Sequence, residues 1–99
     1  MANFRQVSKT PTIENVAMAL ANTEYGYLFP QNTIAFMFKL RCADCKYSWV
    51  SGESGSKFMS MLEGQNYYEE IVNLDGKTLY FQSPAAGSVA EILIWKALD

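Results

Sequence analysis

The sequence predicts an all-β protein: one antiparallel β-sandwich of jelly-roll or Ig-like type, with about seven or eight short strands behind an N-terminal arm. Three observations lead there. Turn-forming clusters interrupt the apolar runs about every eight to twelve residues. They fall at Asn22-Thr23, Pro30-Gln31-Asn32, Ala43-Asp44, Ser51 to Gly55, Gly64-Gln65-Asn66, Asp75-Gly76 and Ser83 to Gly87. Between them, apolar and polar residues alternate, the two-residue period of a half-buried strand. The aromatic share, 14%, suits pleated surfaces.

Residues 1–11 carry little periodicity and read as an arm, with the sandwich over 12–99. Thr12 to Leu20 reads as the first strand; Ala17 to Leu20 are good helix formers, so a helix is the competing assignment. Glu24 to Phe29 alternates with Tyr25, Tyr27 and Phe29 on one face, and Pro30, which lacks an N–H for a ladder, ends it. Thr33 to Arg41 is the clearest strand. Ile34, Phe36, Phe38 and Leu40 point one way, while Ala35, Met37, Lys39 and Arg41 point the other. Cys45 to Val50 alternates again, and Ser51 to Lys57 reads as a flexible hairpin loop. Phe58 to Leu62 is a short strand, and Tyr67 to Val72 is ambiguous. Leu74 to Lys77 forms a tight turn before the alternation of Leu79 and Phe81. The β-branched residues of Val89 to Trp95 favour a buried closing strand over a helix.

Ninety-nine residues make one domain, long enough for a core without staples. The net charge of −2 and the pI of about 5.0 give no nucleic-acid footprint. No apolar stretch is long enough to span a bilayer, and residues 1–11 lack the apolar segment of a signal peptide. These features predict a chain made in a cytoplasm with neither membrane nor nucleic acid as partner.

The chain has no histidine, which removes the commonest general acid/base and the commonest metal ligand. Cys42-Ala43-Asp44-Cys45 is a C-x-x-C, but a structural zinc needs four ligands and the chain offers no second pair. The plainer expectation makes Cys45 a small buried hydrophobe and Cys42 a turn residue. Glu63, Glu69, Glu70 and Asp75 read as a solvated rim. The loop at Ser51 to Lys57 lacks the spacing of a phosphate cradle, and no serine has a base beside it. The expectation is no catalytic residue, no metal, no cofactor and no enzyme activity.

The aromatics are the best hint of binding. Tyr25, Tyr27, Trp49, Tyr67, Tyr68, Tyr80 and Trp95 exceed what one small core accommodates. An exposed patch of such rings stacks on sugars or meets a protein partner. The residues expected to bind partners are Phe4, Arg5, Tyr25, Tyr27, Tyr67 and Tyr68.

The run LANTEYGYLF at Leu20 to Phe29, with Pro30 and the strand Thr33 to Arg41, resembles small virion proteins of tailed bacteriophages. LDGKTLYFQS at Leu74 to Ser83, the Pro-Ala-Ala-Gly turn and VAEILIW at Val89 to Trp95 fit the same pattern. The resemblance implies a β-sandwich subunit that decorates, cements or projects from a capsid or tail, located in the virion. Its implied partners are other virion proteins and further copies of itself, a trimer suiting a local three-fold site on a shell. Against that pattern, Cys42 and Cys45 stand where a polar and an aliphatic residue are expected, and Ile92-Leu93-Ile94 replaces a more acidic stretch. The competing function is a carbohydrate- or host-surface-binding module that uses the same aromatics, with a glycan as partner.

Overall fold

The computed structural model describes residues 10–41, 43–70 and 74–97. Their strands are β1 (Thr12–Met18), β2 (Tyr25–Leu28), β3 (Thr33–Arg41), β4 (Cys45–Ser48), β5 (Met59–Met61), β6 (Tyr67–Glu70), β7 (Thr78–Gln82) and β8 (Ser88–Lys96). One sheet runs β1-β8-β3-β6 and the other β2-β7-β4-β5. All pairings are antiparallel. Every connection changes sheet except the β4–β5 hairpin. This is the order of a jelly roll, two Greek keys folded into one sandwich.

The turn chemistry explains where strands stop. Asn22, Asn32, Gly52, Gly64, Gly76 and Gly87 all adopt positive φ, and each falls in or beside a turn cluster of the sequence. Gly76 (φ 73°) shows the requirement: the Lys77 N–H donates to the Leu74 carbonyl at 3.1 Å across a turn that only a residue tolerant of left-handed backbone completes cheaply.

The helix alternative for residues near Ala17 fails because β1 pairs with β8 along its whole length, from Thr12↔Ile94 to Met18↔Ser88. Ladder bonds and burial of Val16 and Met18 against the core override helix propensity. The strand stops at Met18, two residues earlier than the sequence suggests, and Leu20 lies exposed. In β3, a register shift between Thr33 and Ala35 interrupts the expected alternation. It leaves Thr33 1% and Ala35 6% exposed, with Ile34 only half-buried. The ambiguous segment after Asn66 is strand over Tyr67–Glu70, and residues 71–73 lie outside the described region. β8 is interior, between β1 and β3, so Ile92 and Ile94 are fully buried, as expected of a buried closing strand.

The core is aromatic. Phe36 is fully buried and packs on Phe29 (4.8 Å between ring centroids), Tyr67 (5.4 Å) and Trp49 (5.8 Å). Phe38 packs on Phe81 at 5.1 Å and on Tyr47 at 6.0 Å. Edge-to-face and tilted arrangements such as these add to the plain gain from area burial.

The segment Ser51 to Lys57 is pinned, where the sequence suggests a flexible loop. The Glu24 carboxylate, at the start of β2, accepts the Gly52 N–H at 2.7 Å, the Ser54 N–H at 3.0 Å and the Ser54 hydroxyl. Ser54 is fully buried, and its Oγ also accepts from Gln82 Nε2 at 3.0 Å. A side-chain carboxylate thus fills the backbone donors that an anion-binding loop would offer. Asp44 and Asp75 act similarly, accepting the Glu63 N–H at 2.7 Å and the Asn32 N–H at 2.8 Å.

Candidate assembly surface and the aromatic cluster

Strand alternation sorts the aromatics into two populations. Inward from β6, Tyr67 stacks on Tyr47 at 4.7 Å and meets Phe36 edge-on. Its hydroxyl donates to Glu69 Oε2 at 2.7 Å and receives a hydrogen bond from the Trp49 side chain. Tyr68, one residue later, points outward and is 53% exposed. The two tyrosines therefore lie on opposite faces and cannot form one stacking platform. Tyr25 and Tyr27 pack against the core from β2, and the Tyr25 hydroxyl accepts the Leu20 N–H at 3.0 Å. Phe4 and Arg5, with most of the expected arm, lie outside the described residues.

The outer face of the β1-β8-β3-β6 sheet carries an apolar row that the sequence does not reveal. Register places Ile13 beside Leu93, Leu93 beside Met37, and Met37 beside Tyr68, one residue from each strand. Ile13 and Tyr68 are exposed, Leu93 and Met37 half-buried. The next row is polar. Glu91 bridges Arg41 at 2.7 Å and Lys39 at 3.5 Å, and Asn15 sits beside Glu91 in the register. The Arg41 hydrogen bond, with both cations nearby, holds the Glu91 carboxyl below its ordinary range despite some opposing desolvation.

The row runs out at β1, which among the described residues pairs on one side only, with β8. Among the four edge strands, β6 (YYEE) carries two acids, β5 has three residues, and β2 has four including Gly26. By contrast β1 is seven residues long, holds no proline, has Glu14 as its sole charge and exposes Ile13. Charges, shortness and proline are the usual guards against edge pairing, and β1 has the fewest.

Cys45 begins β4 and is 1% exposed, and burial pushes its thiol up to about 12 despite a hydrogen bond from the Gln82 backbone. A thiol so placed is neither a nucleophile nor a ready metal ligand at neutral pH. Cys42 lies outside the described residues. Among the described residues, no group of three or more Cys, Asp or Glu is placed to hold a metal ion, and no helix is long and apolar enough to cross a membrane.

Burial, together with the Glu69 hydrogen bond, also raises the Tyr67 phenol to about 12. The unfolded chain releases the Cys45 and Tyr67 protons near 9.0 and 10.0, whereas the folded chain keeps both until about 12. Their contribution to stability is complete below the lower value and is lost as pH rises through this window. Urea melts at about pH 8 and about pH 11 are expected to show a lower midpoint at the higher pH, with a smaller drop in Cys45→Ala. An unchanged midpoint would contradict the burial of both groups.

No protein-family model matches the chain, and no curated protein matches it. Among solved structures it is similar to one from a study of Bacillus endospore appendages, described there as a novel family of disulfide-linked pili. The identity is 9%, the match covers 98% of this chain and 93% of that chain, and the TM-score is 0.48. At that identity and score the likeness carries no role over to this chain. The resemblance to phage virion proteins rests on the sequence pattern alone.

Proposed function

We propose that this chain is a non-enzymatic structural subunit that assembles with further copies of itself through the β1 edge. The single observation that supports this is the long, nearly uncharged edge strand continuous with the row Ile13–Leu93–Met37–Tyr68. A second strand laid against β1 pairs the backbone groups on the side away from β8, and the apolar row extends across the joint. Two β1 strands are self-complementary. Centred on Asn15, antiparallel pairing sets Ile13 opposite Ala17 and Glu14 opposite Val16, with no like charges facing each other. Pairing of β1 with itself closes a two-fold dimer, while pairing with another edge gives a ring or a fibre. The sequence resemblance supports a finer reading, in which the assembly sits on the capsid or tail surface of a tailed-phage virion.

The test is the mass of the untagged protein in native mass spectrometry and light scattering. The wild type is expected as a defined oligomer, and Ile13→Lys and Asn15→Lys as monomers with unchanged circular dichroism. A wild type that is monomeric at every concentration, or lysine variants that keep the wild-type mass, would refute assembly through β1.

A further inference from the structure

We infer that Trp49 is the centre of an extended saccharide-binding site, with a subsite on each side of its indole. Trp49 lines two surface cavities. One, of about 590 Å³, also contains Ser51, Lys77, Thr78 and Tyr80. The other, of about 490 Å³, contains Lys57, Phe58, Tyr67 and Glu69. The indole is partly buried, packing on Phe29 at 5.9 Å and Phe36 at 5.8 Å, and keeps some surface at both cavities. It is held in place by the core and by its hydrogen bond to the Tyr67 hydroxyl. That hydroxyl in turn fixes Glu69 at the cleft. Phe58, 39% exposed, has Lys46 over its ring at 4.8 Å.

This donor and acceptor set decides the ligand class. A pyranose has an apolar C–H face and a rim of hydroxyls that both donate and accept. It fits an aromatic wall flanked by both kinds of polar group. Here the wall is Trp49 with Phe58 or Tyr80. Glu69 accepts, Lys57 and Lys77 donate, and the Ser51 and Thr78 hydroxyls do either. Among the described residues, Lys57 and Lys77 form no ion pair. Lys77 in one cleft and the opposed Lys57 and Glu69 in the other give hydrogen-bonding groups of both kinds rather than a field of one sign, a set matched by an uncharged oligosaccharide crossing the indole. The site borders β4 of the other sheet and takes Tyr67 and Glu69 from β6, at the edge of the sheet opposite β1 and on the face opposite Tyr68. It is independent of the assembly reading, and either can fail alone.

The test is a titration of the full-length ¹⁵N-labelled chain with cellotetraose, chitotetraose and maltotetraose, each to about 10 mM, enough to detect millimolar affinity. The reporters are the two indole N–H signals, Trp49 and Trp95, assigned with Trp95→Phe. At least one sugar is expected to shift the Trp49 signal saturably and leave Trp95 unmoved. Glu69→Gln and Phe58→Ala are each expected to weaken that binding by about tenfold while preserving circular dichroism. No saturable shift from any of the three sugars overturns the site, as does a shift that survives both substitutions. A Trp49 signal that broadens with protein concentration alone would assign the clefts to protein contact, and would also overturn it.

Discussion

Phe36→Ala is expected to destabilise the protein by about 3–5 kcal/mol, the range for truncating a fully buried phenylalanine. Phe36 is 0% exposed and joins Phe29, Trp49 and Tyr67, which come from β6 and the ends of β2 and β4. Its removal therefore opens a cavity between the two sheets at a point neither closes alone. Domains of this size have about 5–15 kcal/mol of total stability, so the substitution removes a large share of it. Phe36→Leu, which keeps most of the volume, is expected to cost less than half as much. Urea denaturation followed by far-UV circular dichroism measures both. A loss below about 1 kcal/mol for the alanine variant would mean that the sheets collapse onto the gap, and that the aromatic cluster is not the seam of the sandwich.

Glu24→Ala should have the second largest effect, a loss of about 2–3 kcal/mol. The carboxylate satisfies the Gly52 and Ser54 N–H groups and the Ser54 hydroxyl, and Ser54 is fully buried, so water cannot replace every bond. Burial tends to raise the Glu24 pKa, but the hydrogen bonds from the Ser54 side chain and from the Gly52 and Ser54 backbones together outweigh it and hold the group below 4.5. A depressed carboxyl stabilises the fold above its ordinary value and loses that contribution as pH falls through its folded pKa. The gap in stability between wild type and Glu24→Gln should therefore be clear at about pH 7 and shrink toward about pH 3. Thermal melts at both values measure it. An equal gap at both would show that the charge on Glu24 does not hold the loop.

The legible parts of the fold were those governed by local chemistry. The turn at Asp75-Gly76 and the alternation of Phe36, Phe38 and Leu40 each depend on a few adjacent residues, and the structure keeps both. The end of β1 was not legible, because Ala19 and Leu20 carry no breaker. What ends the strand is the limit of its pairing with β8, which begins at Ser88. Nor was the bulge at Ile34, which depends on how Thr33 and Ala35 register against Lys96 and Trp95.

The candidate sites divide in the same way. The sequence flagged aromatics in surplus of one core and named Tyr67 and Tyr68 together, but a two-residue period places neighbours on opposite faces, one in the aromatic cluster and one in the outer row. Glu24 carried no signal, because its partners Gly52 and Ser54 lie 28 and 30 residues away. By itself the sequence determined the all-β class, nearly every turn, the alternation within strands and the absence of histidine. Those follow from short-range backbone preferences and composition. The tertiary structure alone decided that β1 is an edge among the described strands, that Ile13, Leu93, Met37 and Tyr68 form one row, and that Trp49 lines two clefts. Each of these joins residues far apart in the chain, and such contacts are set by how the strands cross between sheets.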